Sequence, residues 1–137
     1  MVIIDVDGVL TDGKIIVDAE GAEVKNFHVR DGTGIKYLQR AGLSCAVISG
    51  RECTAVEHRL RELGIKDIFQ NALNKIEAYE QIIKKYSLKD EEVCYIGDDL
   101  IDIPIFHRVG FSAAVPEAPR EGPHLTLCGA CDRMHAV

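Results

Sequence analysis

The chain has 137 residues, of which 47% are hydrophobic, and a formal net charge of −6 at pH 7. This length suits a single domain with its own core, and the acidic balance argues against nucleic acid as the main partner. No apolar run approaches the roughly 20 residues of a membrane-spanning helix, and no charged segment followed by an apolar one indicates a signal peptide.

The first stretch of the chain is an apolar run that ends at two aspartates. Val2–Ile4 predicts a strand buried on both faces, and Gly8 permits a sharp turn after it. Asp5 and Asp7 then lie at the carboxyl end of that strand, the edge where ligands bind in open α/β sheets. Such a pair can hold a divalent cation and supply a nucleophile and a proton donor. The simpler interpretation is that the aspartates only form a turn.

The next segments predict a hairpin and a helix. Residues 14–18 and 23–28 are β-rich and flank a glycine-containing turn at residues 19–22, so the hairpin would project over the strand ends. Residues 31–34 then open a helix with Ile35 and Leu38 facing inward, Tyr37 as a further inward candidate, and Ala41-Gly42 at its end.

Strands and helices alternate through the rest of the chain. Strands are predicted at residues 43–49, 65–69, 93–96 and 111–115, and helices at residues 53–63, 75–86 and 100–108. Gly64 is the predicted C-cap of the first of these helices, and Asn74 the N-cap of the second. The alternation predicts an α/β fold, a parallel sheet with helices on both faces.

Polar residues follow four of these strands, and the carboxyl ends of parallel strands share one edge. They are Asp5 and Asp7, Ser49-Gly50-Arg51, the region around Lys75, and Asp98-Asp99 with Asp102. In phosphoryl transfer Asp5 can attack phosphorus and form an aspartyl-phosphate. Asp7 can protonate the leaving oxygen and then deprotonate water. The sequence therefore predicts a phosphoryl-transfer site at this edge.

The remaining polar groups suit a metal ion and a phosphate. Asp5, Asp98 and the backbone carbonyl of Asp7 would suffice for Mg²⁺. Ser49 and the N–H groups after it can hold phosphate oxygens, while Lys75 neutralises charge and orients Asp5.

Each group alone has a simpler explanation. Ser49-Gly50 is a turn, Lys75 a solvated residue in a first helical turn, and Asp98-Asp99 a helix cap. Their combination, in order and at strand ends, favours the functional interpretation.

The same residues carry a family resemblance. Asp5-x-Asp7-Gly-Val-Leu-Thr, Ile48-Ser49-Gly50-Arg51, Lys75 and Gly97-Asp98-Asp99-x-x-Asp102 resemble the four motifs of haloacid dehalogenase-superfamily phosphatases. The hairpin in place of a large cap, and Val29-Arg30-Asp31-Gly32-x-Gly34-Ile35, narrow the resemblance to phosphatases of 3-deoxy-D-manno-octulosonate 8-phosphate (Kdo 8-phosphate), over residues 2–118.

This resemblance implies a three-layer, Rossmann-like, capless domain over residues 1–118, with the hairpin at residues 14–28. It implies hydrolysis of Kdo 8-phosphate in lipopolysaccharide precursor synthesis, in a cytoplasmic homotetramer whose neighbouring subunit helps close each active site. By resemblance Asp5 is the nucleophile, Asp7 the acid/base, and Ser49 and Lys75 the phosphate anchors. Mg²⁺ would be bound by Asp5, Asp7 and Asp98, with Asp99 and Asp102 in support.

Two arginines help to predict which substrate is recognised. Relatives that act on nine-carbon acids tend to have Glu after the Ser-Gly pair, so Arg51 favours the Kdo branch. Arg59 matches a family arginine that reaches the carboxylate of a bound sugar substrate. One way to make this contact is across a subunit interface. For both arginines the simpler interpretation is a solvated charge.

The end of the chain departs from the family. From Pro116 on no regular pattern holds, and residues 119–137 are predicted to be an irregular or disordered tail. The family usually has residues before the first strand, and a tail that helps cover the active site, so the departure at both ends leaves the efficiency of turnover open. Cys128 and Cys131 form a single C-x-x-C pair. A structural zinc site needs a second ligand pair, and the only nearby candidates, His124 and His135, are not placed convincingly for it. The odd count of five cysteines predicts free thiols in a reducing compartment.

Two other functions stay open from the sequence. One is a phosphatase for another sugar-acid phosphate, such as a nonulosonate 9-phosphate. The other is a non-catalytic oligomerisation domain, although such a domain need not keep Asp5, Asp7, Lys75 and Asp98.

Overall fold

The computed structural model describes residues 1–115, and the predicted tail and the Cys128–Cys131 pair lie outside this range. Along the chain the strands and helices are β1 (Val2–Ile4), β2 (Ile16–Val17), β3 (Glu23–Val24), α1 (Val29–Arg40), β4 (Cys45–Ile48), α2 (Thr54–Glu62), β5 (Asp67–Phe69), α3 (Lys75–Tyr86), β6 (Cys94–Gly97), α4 (Ile103–Phe106) and β7 (Phe111–Ala114). Five strands form one sheet in the order β5-β4-β1-β6-β7. Every neighbouring pair is parallel, which confirms the predicted α/β class.

The two faces of the sheet bury separate clusters of apolar side chains. Val2 and Ile4 of β1 pack on one face with Ile35 of α1 and Leu60 of α2. Ile3 points to the opposite face, where it joins residues of α3 and α4 such as Tyr79 and Ile105. Successive strand residues alternate between faces, so the central strand β1 must be apolar throughout. The three layers place the carboxyl ends of β1, β4 and β6 side by side.

The helix predictions are mostly confirmed, and their differences have local causes. Helix α3 has the predicted bounds, although the Asn74 side chain donates to Glu77 Oε1 at 2.7 Å instead of capping a backbone N–H. The inward assignment of Tyr37 is wrong, because this side chain is 62% exposed. Tyr37 is two positions after the buried Ile35, and at 3.6 residues per turn such neighbours point to nearly opposite sides.

The predicted helix at residues 100–108 is two shorter pieces. A 3₁₀ turn covers Leu100–Asp102, and α4 follows with Pro104 in its first turn. Proline suits that position because its missing N–H has no partner there anyway. Asp99 caps the 3₁₀ turn, since its side chain accepts from the N–H of Leu100. The break brings Asp102 back under the loop that follows β6.

The hairpin between β1 and α1 is confirmed, with shorter strands than predicted. Strands β2 and β3 pair antiparallel over two residues each. Asp18 Oδ1 accepts from the N–H groups of Glu20 and Ala22 and so closes the turn. A bridge between Thr11 and Phe27 fixes the base of the hairpin beside the loop that carries Asp7.

Among the helices of residues 1–115, none combines the length and apolar character needed to cross a membrane. The predicted domain bounds of 1–118 stay a prediction, because the described part of the chain stops at residue 115.

Candidate active site

A cleft of about 230 Å³ opens at the carboxyl edge of the sheet. Its lining includes seven of the residues predicted for the site, Asp5, Asp7, Gly50, Arg51, Lys75, Asp98 and Asp99. Each follows a strand or begins a helix at this edge, as expected for ligand sites in parallel sheets. The structure therefore brings together most of the residues that the sequence selected.

Asp5 is buried at the end of β1 with both carboxylate oxygens in contact with donors. Its Oδ1 accepts from the N–H of Val6 at 2.7 Å, and its Oδ2 lies 2.8 Å from Lys75 Nζ. Burial raises the pKa of Asp5 to about 7, although the ammonium of Lys75 opposes this change. Burial therefore disfavours the charged form of Asp5, and the fixed ammonium of Lys75 favours it.

Lys75 is a buried member of the site and not a solvated helix residue. It is 2% exposed, and its Nζ lies 2.6 Å from Asp102 Oδ1 as well as beside Asp5. Two carboxylates thus share one ammonium, which meets the requirement that a buried charge be paired. The simpler interpretation of Lys75 is wrong.

Asp102 is fully buried below the cleft and accepts four hydrogen bonds. Its Oδ1 accepts from Lys75 Nζ and from the Tyr95 hydroxyl, both at 2.6 Å. Its Oδ2 accepts from the N–H groups of Asp98 and Asp99 at 3.0 and 3.1 Å. Asp102 therefore holds the Asp98 loop and Lys75 in place, and its oxygens are already in use.

The acidic residues in the cleft fit a divalent cation. One carboxylate oxygen each from Asp5, Asp98 and Asp102 lies within 4.8 Å of the other two. Because the oxygens of Asp102 are occupied, Asp5 and Asp98 are the side chains left to bind, together with the backbone carbonyl of Asp7. All of these are hard oxygen donors of the kind Mg²⁺ prefers. Burial raises the pKa of Asp98, because the dry surrounding disfavours the charged carboxylate.

Three predicted residues lie outside the cleft lining. Ser49 is buried at the end of β4, and its Oγ accepts from the N–H of Arg51 at 3.2 Å. Asp102 is fully buried below the cleft. Arg59 lies on α2, pairs with Glu62 at 2.9 Å and packs over Gly32 of α1. The single chain therefore does not bring Arg59 to the cleft.

The sequence interpretation missed three residues that contact the site. Lys25 Nζ contacts Asp7 Oδ1, and Glu23 Oε1 lies 2.8 Å from Lys25 Nζ and 3.2 Å from Arg51 Nη2. Tyr95 supports Asp102 from within β6. Two signals point to them: the Glu-x-Lys spacing puts both charges on one face of a strand, and a tyrosine in a buried strand needs a partner for its hydroxyl.

A buried aspartate beside a lysine and a second aspartate, at the carboxyl edge of a parallel sheet, is the arrangement expected of a phosphoryl-transfer hydrolase. Residues 22–110 match the family model described as haloacid dehalogenase-like hydrolase. The chain belongs to this family.

Named relatives of the chain include two curated phosphatases and one solved structure. The 3-deoxy-D-manno-octulosonate 8-phosphate phosphatase of Haemophilus influenzae is 48% identical over 118 residues, which is 86% of this chain and 66% of that protein. The phosphatase of the same name from Escherichia coli (strain K12) is 43% identical over 86% of this chain and 63% of its own length. The chain therefore spans slightly less than two thirds of these curated relatives.

The solved structure is the phosphatase of the same name from Moraxella catarrhalis, in complex with a magnesium ion, a phosphate ion and a KDO molecule. It is 39% identical, covers 88% of this chain and 69% of the solved chain, and has a TM-score of 0.85. The likeness confirms the fold.

Proposed function

We propose that the protein is a Mg²⁺-dependent phosphomonoesterase that works through an aspartyl-phosphate on Asp5. The observation that carries this proposal is the buried Asp5 beside Lys75 in a cleft that also holds Asp7 and Asp98. Phosphate release from an aryl phosphate, with Mg²⁺ and with a chelator, tests it. Mg²⁺-dependent release supports the enzyme, and no release in either condition supports a non-catalytic oligomerisation domain.

In the proposed reaction a carboxylate oxygen of Asp5 attacks phosphorus, and the bond from phosphorus to the leaving oxygen breaks. Asp7 gives its proton to that oxygen, and it later takes a proton from the water that hydrolyses the aspartyl-phosphate. Lys75 neutralises charge beside Asp5, and Gly50 and Arg51 face the cleft where phosphate oxygens would lie. A bound Mg²⁺ would screen the repulsion between Asp5 and an anionic phosphate.

We propose Kdo 8-phosphate as the substrate. The relatives named for this activity are 43–48% identical, and Arg51 is the residue that favours the Kdo branch over nine-carbon acids. A nonulosonate 9-phosphate is the competing substrate, and the ratio of kcat/KM for the two compounds decides between them. The reducing compartment suggested by the free thiols of Cys45 and Cys53 fits a cytoplasmic enzyme.

We propose that the protein assembles as a homotetramer through its hairpin. The hairpin exposes four large apolar side chains, Ile15, Ile16, Val17 and Val24, and Ile15 is 63% exposed. Clustered apolar residues on a projecting hairpin are typical of an interaction surface. Light scattering on the purified chain tests this proposal, and the mass of a monomer would contradict it.

Mg²⁺ is expected to raise the melting temperature of the protein, and Asp98→Asn is expected to abolish the effect. A ligand that binds only the folded state stabilises it, by about 2.7 kcal/mol at a hundredfold excess over Kd, which is roughly 8 °C here. Asp12→Asn is the matched control and is expected to keep the full shift, because Asp12 lies outside the cleft lining and pairs with Lys14 at the surface. If Mg²⁺ raised the melting temperature equally in the wild type and in Asp98→Asn, Asp98 would not be a ligand of the metal.

Gly8→Ala is expected to weaken Mg²⁺ binding by at least about tenfold. Gly8 has φ +86°, and a Cβ there would lie 1.8 Å from Asp98 Oδ2, so the carboxylate must move. Isothermal titration with Mg²⁺ measures the change. Gly21→Ala is the control, because Gly21 has φ +83° in the hairpin turn and nothing within 4 Å of the added atom. Equal affinities for the two variants would show that Asp98 does not have to move.

A further inference from the structure

The hairpin brings a buried lysine into contact with the acid/base aspartate. Lys25 follows β3, and its side chain is only 1% exposed. Its Nζ contacts Asp7 Oδ1, across 18 positions of sequence. A lysine in a short hairpin is usually solvated, so its burial against a carboxylate of the cleft needs a reason.

Glu23 fixes the position of this lysine. Its Oε1 lies 2.8 Å from Lys25 Nζ and 3.2 Å from Arg51 Nη2, so one carboxylate joins the hairpin to the loop after β4. The carboxylates of Asp7 and Glu23 both contact its ammonium, which meets the requirement that a buried charge be paired. Lys25 is therefore a fixed cation, held between Glu23 and Asp7.

The contact uses only one oxygen of Asp7. Within residues 1–115, the Asp7 carboxylate makes its hydrogen bond and ion pair through Oδ1, and the partner is Lys25 Nζ. The Asp7 side chain is 27% exposed, so without this contact its carboxyl group would be able to rotate. With Oδ1 occupied by an ammonium, a proton on Asp7 must be carried by Oδ2.

We infer that Lys25, held by Glu23, is a positioning residue that sets the orientation of the general acid Asp7. The inference rests on the proposed phosphatase function. When the bond between phosphorus and the leaving oxygen breaks, that oxygen keeps the electron pair and takes the proton from Oδ2 of Asp7. Asp7 becomes a carboxylate again, and its Oδ1 stays with Lys25. Proton delivery depends on geometry within a few tenths of an ångström, so the hairpin contributes to the rate of this step.

The dependence of the rate on the leaving group tests the inference. Phenyl phosphate and p-nitrophenyl phosphate have nearly the same shape, but p-nitrophenolate departs without a proton and phenolate needs one. The value of kcat/KM reports on the steps from substrate binding up to the departure of the leaving group. Because a general acid contributes about 10²–10⁴-fold, Lys25→Met is expected to lose about tenfold or more on phenyl phosphate. The same variant is expected to stay within about twofold of the wild type on p-nitrophenyl phosphate.

Two further variants separate positioning from folding. Lys14→Met removes another lysine of the same hairpin, which is 73% exposed and, within residues 1–115, pairs with Asp12 at 3.1 Å. It is expected to match the wild type on both substrates. Lys25→Arg keeps the charge and is expected to recover part of the loss on phenyl phosphate. Far-ultraviolet circular dichroism and thermal melting verify that each variant is folded.

The possible outcomes are distinct. A selective loss on phenyl phosphate in Lys25→Met supports the positioning role. Equal losses on both substrates, or no loss on either, would overturn it and leave the phosphatase proposal intact. A wild-type protein that hydrolyses neither substrate with Mg²⁺ present would overturn the phosphatase proposal and this inference together.

Discussion

Asp5→Asn is expected to abolish phosphate release, with kcat lowered by about 10⁴-fold or more. The amide has nearly the same shape as the carboxylate but no nucleophilic oxygen anion. The side-chain oxygen is still able to accept from the N–H of Val6, and Lys75 keeps its contact with Asp102. The loss is therefore chemical and not a consequence of unfolding.

The same substitution is expected to leave the metal-free fold as stable as the wild type or more so. Burial raises the pKa of Asp5 to about 7, so the folded protein holds this group charged at a disadvantage near neutral pH. A neutral amide removes that disadvantage and the repulsion from Asp102. Melting curves in a chelator measure the effect, and a large fall in melting temperature would contradict it.

The control for this prediction is Asp12→Asn, in the same loop but outside the cleft lining. Asp12 pairs with Lys14 at the surface, so its substitution is expected to leave the rate within about twofold of the wild type. Full activity in Asp5→Asn would rule out Asp5 as the nucleophile. Equal losses in the two variants would indicate damage to the loop as a whole.

Asp102→Ala is expected to lower the free energy of unfolding by about 3–5 kcal/mol. The substitution removes the acceptor for four donors and leaves the Lys75 ammonium with Asp5 alone. Two of those donors are the N–H groups that fix the Asp98 loop. Activity is therefore expected to fall as well, because both Lys75 and Asp98 lose their support.

Urea unfolding followed by circular dichroism measures this effect. Asp99→Ala is the matched control, because it removes an exposed carboxylate of the same loop that only caps the 3₁₀ turn. Its expected cost is at most about 1 kcal/mol. Similar stabilities for the two variants would mean that Asp102 does not organise the floor of the site.

Most of the fold could be predicted because it is determined by local patterns. The β-branched run of β1, the glycines after the helices and the period of α3 are all properties of neighbouring residues. Asp5, Lys75 and Asp98 could be selected because each follows a strand or starts a helix at the edge where parallel strands end. The inward assignment of Tyr37 failed because it departs from the helical period that buries Ile35, and the helix predicted at residues 100–108 is broken where Pro104 enters the first turn of α4.

The support of the site was harder to predict because its contacts span long stretches of sequence. Lys75 meets Asp102 across 27 positions, and Lys25 meets Asp7 across 18. No local pattern marks Glu23 as the partner of both Lys25 and Arg51, since that depends on how the hairpin folds over the cleft. Arg59 illustrates the reverse case, because a motif match predicted a substrate contact, whereas within the single chain Arg59 lies outside the cleft lining.

Phosphate release from Kdo 8-phosphate, compared with a panel of other sugar phosphates in the presence of Mg²⁺, is the most direct test of the proposed function. We expect a clear preference for Kdo 8-phosphate in kcat/KM and loss of release when Mg²⁺ is removed. Release that is equally slow on every sugar phosphate, or that is unchanged by a chelator, would contradict the proposed enzyme.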